Sequence, residues 1–156
     1  MTKTILLIEP NVTYRQIICN IINESGFKPN IQPTPDETIL YLRTKRVSDF
    51  PHAYFVEPLN VGTHYIIPET ETQITSLSVH TYLKGRNANT NRFYILTDLI
   101  SVEPNTRKKT WENTSLIHAL SEDDQQTFRL LETQNQIIAK TQIDELFEIL
   151  EEVQRQ

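Results

Sequence analysis

The run Ile5-Leu6-Leu7-Ile8 contains no polar residue and stops at Glu9-Pro10-Asn11. A strand with one face in water alternates apolar and polar residues, so four consecutive branched apolar residues predict a strand covered on both faces. Helices are the usual cover, and one follows at once. Asn11 is a capping residue, Tyr14, Ile17, Ile18, Ile21 and Ile22 recur at helical spacing, and Ser25-Gly26 ends the pattern. Residues 28–32 read as a short strand whose Pro29 lacks a ladder donor and so belongs at a sheet edge. Thr34-Pro35-Asp36-Glu37 reads as a capping box with proline at the first helical position, opening a helix through Ile39, Leu40 and Leu42. Residues 53–56, 93–96 and 136–139 are further apolar strands, and residues 72–84 read as a helix. In the last helix Ile143, Leu146, Phe147, Leu150 and Val153 form one stripe, with acids on the other face. Five strands alternating with five helices predict a doubly wound parallel sheet, because parallel neighbours need crossover connections. Function in such a sheet is expected at the carboxyl ends of the strands.

The composition narrows the class. With 156 residues, 38% of them hydrophobic, residues 1–156 suit one domain with its own core. Cys19 is the only cysteine, which excludes an internal disulfide and suits a reducing cytosol. The amino terminus lacks the pattern of a signal peptide, and no apolar stretch is long enough for a membrane span, so a cytoplasmic chain without membrane contact is expected. The net charge of −5 is concentrated: from Ser121 onward nine acids face three bases, a net −6, which leaves +1 for residues 1–120. A basic island of Lys84, Arg86, Arg92, Arg107, Lys108 and Lys109 lacks interleaved aromatics, and nucleic acid is not an expected partner. The four histidines and Cys19 fall at no metal-ligand spacing, and neither a phosphate-binding loop nor a dinucleotide fingerprint is present among only three glycines. No cofactor is expected.

The expected strand ends carry Glu9, Glu57, Thr97 and Lys140. Residues 5–11 as a first strand with an acidic end, residues 53–58 as a strand ending in Glu57-Pro58, residues 94–97 as a strand ending in a hydroxyl, and residues 137–140 as a strand ending in lysine resemble, in that order, the receiver domain of two-component response regulators. The segment Thr141-Gln142-Ile143-Asp144-Glu145-Leu146 resembles the family's entry into its last helix. The resemblance spans essentially the whole chain. It implies a flavodoxin-like sheet in the order 2-1-3-4-5 with helices on both faces, in a protein of bacterial signal transduction.

It also implies a pocket in which an aspartate accepts phosphate, neighbouring acids hold magnesium, and a hydroxyl and a lysine contact the phosphoryl oxygens. Here Glu57 occupies the acceptor position, Pro10 stands in place of an acid, and Ile137 falls where the family's switch aromatic is expected. Only Thr97 and Lys140 match. Phosphoryl transfer rests on in-line positioning and charge neutralisation, and an acceptor one methylene longer is displaced from that geometry. The expectation is a degenerate receiver, not an enzyme, with weak or no metal binding and with Glu57 paired to Lys140. It would act by contact with a signalling protein. By the same resemblance, homodimerisation or docking is expected through the fourth helix, fifth strand and fifth helix, with Glu148, Glu151 and Glu152 favouring a basic partner. Two stretched segments, 59–73 and 100–125, distinguish the chain from an ordinary receiver, and Trp111 in the second is a candidate partner contact or core cover. The alternative is a small-molecule sensor binding its ligand in the former phosphorylation pocket, beneath residues 59–73.

Overall fold

A computed structural model describes residues 3–58, 65–67, 72–111 and 120–155. In chain order the elements are β1 (Thr4–Ile8), α1 (Val12–Glu24), β2 (Lys28–Ile31), α2 (Pro35–Arg43), a 3-10 turn (Val47–Asp49), β3 (Ala53–Val56), β4 (Tyr65–Ile67) and β5 (Thr72–Ile74). They continue with α3 (Ser76–Gly85), β6 (Phe93–Thr97), β7 (Ile100–Val102), β8 (Lys109–Trp111), α4 (Glu122–Thr133), β9 (Ile137–Ala139) and α5 (Ile143–Gln154). Five strands form one parallel sheet in the order β2-β1-β3-β6-β9. Numbered among themselves these strands run 2-1-3-4-5, and the fold is flavodoxin-like.

Alternate residues of each central strand enter opposite halves of the core, which is why the runs are apolar without a break. Leu6, Ile8, Tyr54, Val56, Phe93, Ile95, Ile137 and Ala139 pack with Leu42 of α2, Leu77 and Leu83 of α3, and Phe128 and Leu131 of α4. Ile5, Leu7, Ala53, Phe55, Leu96 and Ile138 pack with Ile18 and Ile22 of α1 and with Leu146, Leu150 and Val153 of α5. The ring pairs Tyr54–Phe93 and Phe55–Tyr94 lie one on each face.

Local chemistry sets the helix ends. The Asn11 side chain accepts from the Tyr14 N–H at 2.8 Å and starts α1. Gly26, at φ 88°, ends it in the left-handed region, and the Phe27 N–H turns back to the Ile22 carbonyl at 3.1 Å. Thr34 accepts from the Glu37 N–H at 3.3 Å, and Pro35 occupies the first turn of α2.

Two sequence readings need correction, and two features of the fold were not anticipated. Residues 72–84 are not one helix, because residues 72–74 pair antiparallel with residues 65–67 and α3 begins only after Thr75. The capping box that starts α3 joins Thr75 and Ser78, and serine in place of Glu or Gln hid it from the sequence pattern. Residues 100–111 form the antiparallel pair β7–β8, and the fourth helix starts as late as Glu122. The apolar stripes are also wider than the buried faces: Ile17 in α1, Leu40 in α2, and Ile143 and Phe147 in α5 are exposed. Residues 59–64, 68–71 and 112–119, with the lid expected there, lie outside the described residues.

Candidate functional site

The sheet register brings the strand-end residues together. Ile8 stands opposite Val56, and the Glu57 N–H donates to the Ile8 carbonyl at 2.9 Å, so Glu9 and Glu57 follow adjacent strands at the same level. Thr97 stands opposite Ala139, and the Lys140 N–H donates to the Thr97 carbonyl at 2.8 Å. Glu9 is 2% exposed and Glu57 7% exposed, so neither carboxylate can rely on water for its solvation.

Lys140 resolves this. Its Nζ lies 2.9 Å from Glu9 Oε1, 2.8 Å from Glu9 Oε2 and 3.0 Å from Glu57 Oε2. One ammonium therefore bridges two carboxylates, where the sequence suggested a pair with Glu57 alone. It also stands over the Tyr14 ring, 5.0 Å from the centroid, where the negative face of the ring adds attraction. Burial by itself pushes the Lys140 ammonium down, but the charge and hydrogen bonds of Glu57 and Glu9 outweigh it and the net shift is upward.

The surrounding groups fix this arrangement. Glu9 Oε1 accepts from the Asn11 N–H at 3.2 Å, which ties the carboxylate to the start of α1. The Tyr14 hydroxyl donates to the Lys140 carbonyl and clamps the strand-end loop against α1. Burial, and after it the charges of Glu9, Asp98 and Glu57, push the Tyr14 phenol upward, so it remains a donor. Thr97 is fully buried, and its hydroxyl accepts from the Leu99 N–H at 3.1 Å, which closes the turn after β6.

Chemically the site is an internal salt bridge of net charge −1. Lys140 has committed its charge to two carboxylates, and a phosphoryl group entering here would have to displace one of them and approach the other. Glu57 is held by the same ammonium that would have to neutralise any incoming negative charge.

The remaining residues singled out from the sequence lie elsewhere. Pro10 is exposed beside the site. Ile137 is buried among the residues between the sheet and α4, and its carbonyl accepts from Lys109 Nζ at 2.6 Å. The same Nζ lies 2.9 Å from Glu145 Oε1, so Lys109 pins the β7–β8 pair to β9 and α5. Glu148, Glu151 and Glu152 are exposed on α5, and Glu148 and Glu152 line a cavity of about 590 Å3 with Tyr94 and Gln136. Trp111 pairs with Ile100 through its backbone, and its side chain lies outside the described residues.

Sequence reasoning missed Tyr14 and Lys109 as organisers of these contacts. For Tyr14 one signal was present: a hydroxyl three residues past a helix cap, on the helix that starts at the strand ends. It also missed a buried bond in which the Thr75 hydroxyl donates to Asp124 Oδ2 at 2.7 Å, joining the starts of α3 and α4. Burial pushes the Asp124 carboxyl up against the opposing effect of that bond.

No family model and no curated protein matches the sequence. Among solved structures the chain is similar to one described as a trimeric coiled-coil segment of yeast Spc42, amino acids 181–211, fused to another structure. The two are 14% identical with a TM-score of 0.59, over 99% of this chain and 78% of that one. A likeness at that identity shows the fold alone, and the coiled coil is a property of that protein.

Proposed function

We propose that this chain is a pseudo-receiver: a receiver-like domain of bacterial two-component signalling that works by protein contact in the cytoplasm, without phosphorylation and without catalysis. The observation that carries the reading is the Lys140 ammonium shared between Glu9 and Glu57 at 2.8 to 3.0 Å. Phosphoryl transfer needs a cation available to neutralise the charge that develops. Here the protein supplies its own anions to the lysine, so the domain is held in one state whatever the phosphodonor. With the switch fixed, signalling depends on whether a partner is present.

The docking face in this reading is α4, β9 and α5. It carries Glu148, Glu151 and Glu152, and the ion pair between Lys109 and Glu145 adds the β7–β8 pair to it. Such a face suits a basic partner, or a second copy of the chain that presents basic residues to it.

The test is an amide NMR spectrum with and without magnesium and beryllofluoride, which stands in for an aspartyl phosphate, together with intact mass after treatment with acetyl phosphate. Unmoved resonances at Glu9, Glu57, Thr97 and Lys140 and an unchanged mass support the reading. Saturable shifts at those residues, or a phosphate adduct, overturn it. A small metabolite that shifts the same residues would favour a ligand sensor instead.

A further inference from the structure

The loop that leads from α4 into β9 and the helix α5 line a common cavity of about 590 Å3, well inside the range of about 300 to 1,000 Å3 over which ligand pockets run. α5 contributes Glu145, Glu148, Ile149 and Glu152, which recur at helical spacing on one face, and β6 contributes Tyr94. No Lys, Arg or His lines the cavity among the described residues. Glu145 is committed to Lys109, but the carboxylates of Glu148 and Glu152 make no hydrogen bond or ion pair among the described residues. The stability of α5 does not account for this row. Glu148 and Glu152 stand at i and i+4, where like charges repel, and Glu152 falls in the last turn, where the helix dipole favours cations and no basic residue is present.

Gln136 adds an acceptor whose direction is fixed. It is 5% exposed, and its Nε2 stands 3.2, 3.2 and 2.8 Å from the carbonyl oxygens of Thr90, Asn91 and Phe93, to which it donates. Three carbonyls around one end of the amide decide which end that is, because the amide oxygen would repel them. The other end, Oε1, has no donor among the described residues and is not enclosed, and the cavity is what Gln136 lines. The Tyr94 ring is held against Phe55, with centroids 5.6 Å apart. Burial pushes its phenol up, with Arg92 opposing that shift and Glu152 adding to it, so the Glu152 carboxylate is within electrostatic reach of the ring. Carboxylates, a fixed amide oxygen and an aromatic ring together suit a donor that carries positive charge.

We infer that this cavity takes an arginine side chain presented by a protein partner, with the guanidinium shared among Glu148, Glu152 and Gln136 Oε1 and its plane against the Tyr94 ring. A guanidinium offers five donors in a planar fork, enough to serve two carboxylates and an amide oxygen at once, and it stacks on aromatic rings. A lysine ammonium is a compact, strongly hydrated charge with three donors and no plane to stack. The same cation relieves the repulsion between Glu148 and Glu152 and complements the carboxyl end of the α5 dipole. The inference rests on the docking role proposed above for the α4–β9–α5 face, and it adds the side chain that this face selects.

The experiment titrates isotope-labelled protein with Nα-acetyl-arginine amide at fixed ionic strength, with the matching lysine and citrulline amides and sodium chloride as parallel arms. The expected result is saturable shifts at Tyr94, Gln136, Glu148 and Glu152, weaker binding of the lysine amide, none of the neutral citrulline amide, and a loss of about fivefold or more in affinity when Glu148→Gln and Glu152→Gln are combined. Both substitutions are at exposed positions, and unmoved resonances in β1 and β3 verify that the fold is kept. Shifts reproduced by sodium chloride, citrulline or lysine amides binding as tightly as the arginine amide, or an affinity unchanged in the double variant would each overturn the inference. The beryllofluoride and intact-mass results separate it from the reading it rests on. A chain that accepts phosphate and still binds the arginine amide loses the pseudo-receiver reading and keeps the cavity, whereas a chain inert to phosphodonor that binds no arginine amide loses the cavity alone.

Discussion

A single ammonium holds two buried carboxylates, so the charge balance at Lys140 is more consequential than any one contact there. Removing one partner of a buried ion pair leaves an uncompensated charge and typically costs roughly 3–5 kcal/mol. Lys140→Ala should therefore lower the unfolding free energy in urea by roughly that amount, and adding Glu9→Gln and Glu57→Gln should restore much of it. Magnesium or calcium should stabilise Lys140→Ala by mass action and leave the wild type unchanged, because only the variant has two carboxylates without their cation. The raised Lys140 pKa gives the alkaline sign: the stability it contributes is complete below the unfolded value of 10.5 and is lost as pH rises through the higher folded value. His80 gives the acid sign. It is 1% exposed, stands edge-on to Phe93, and is pushed down from 6.5 to about 4 by burial and then by Lys84. A depressed base favours the folded state above its unfolded pKa, so this contribution is present above pH 6.5 and lost as pH falls toward 4. The loss is roughly 3 kcal/mol at about 1.4 kcal/mol per pKa unit, and it should be absent from the urea-derived stability profile of His80→Phe.

The elements that were legible in the sequence are those whose burial is unambiguous. A strand between two helical layers must be apolar at every position, and β1, β3, β6 and β9 announce themselves in that way. The three-residue strands of the two small antiparallel pairs have no such constraint. In Thr72-Gln73-Ile74 the pairing to residues 65–67 decides the structure, and that is a long-range backbone contact which no local pattern of side chains encodes. The site was half legible for the same reason. Strand ends placed Glu9 and Glu57 near Lys140, but which carboxylates the ammonium holds is set by the sheet register, and Tyr14 as a clamp depends on where α1 sits above the sheet. Lys109 shows how an added element is secured: one ammonium reaches the Ile137 carbonyl and Glu145, tying the β7–β8 pair to the main sheet. Lys109→Ala should cost about 1 kcal/mol or less because the ion pair is partly exposed. Its clearer effect should be faster amide exchange confined to residues 100–111, with β6 and β9 still protected.

The central sheet is the common wall of both halves of the core among the described residues, and this predicts that the molecule unfolds as one unit. β1, β3, β6 and β9 each send alternate side chains to the α2–α3–α4 side and to the α1–α5 side, so neither side can lose its packing while the other keeps its own. The charged groups at the sheet's two ends depend on the same wall, with Glu9 and Glu57 following the strands they share and His52 and Arg92 preceding theirs. Damage to one face should therefore be felt on the other. Phe128→Ala removes a ring that is 3% exposed on the α4 side, a truncation that typically costs about 3–5 kcal/mol. If the molecule unfolds as one unit, amide exchange in α1 and α5 should accelerate by the same free energy as in α3, and far-UV and near-UV circular dichroism should give one coincident transition in urea. Exchange that accelerates around α3 and α4 while Ile18, Ile22 and Leu150 keep their wild-type protection would mean that the two faces melt separately and that the sheet does not couple them.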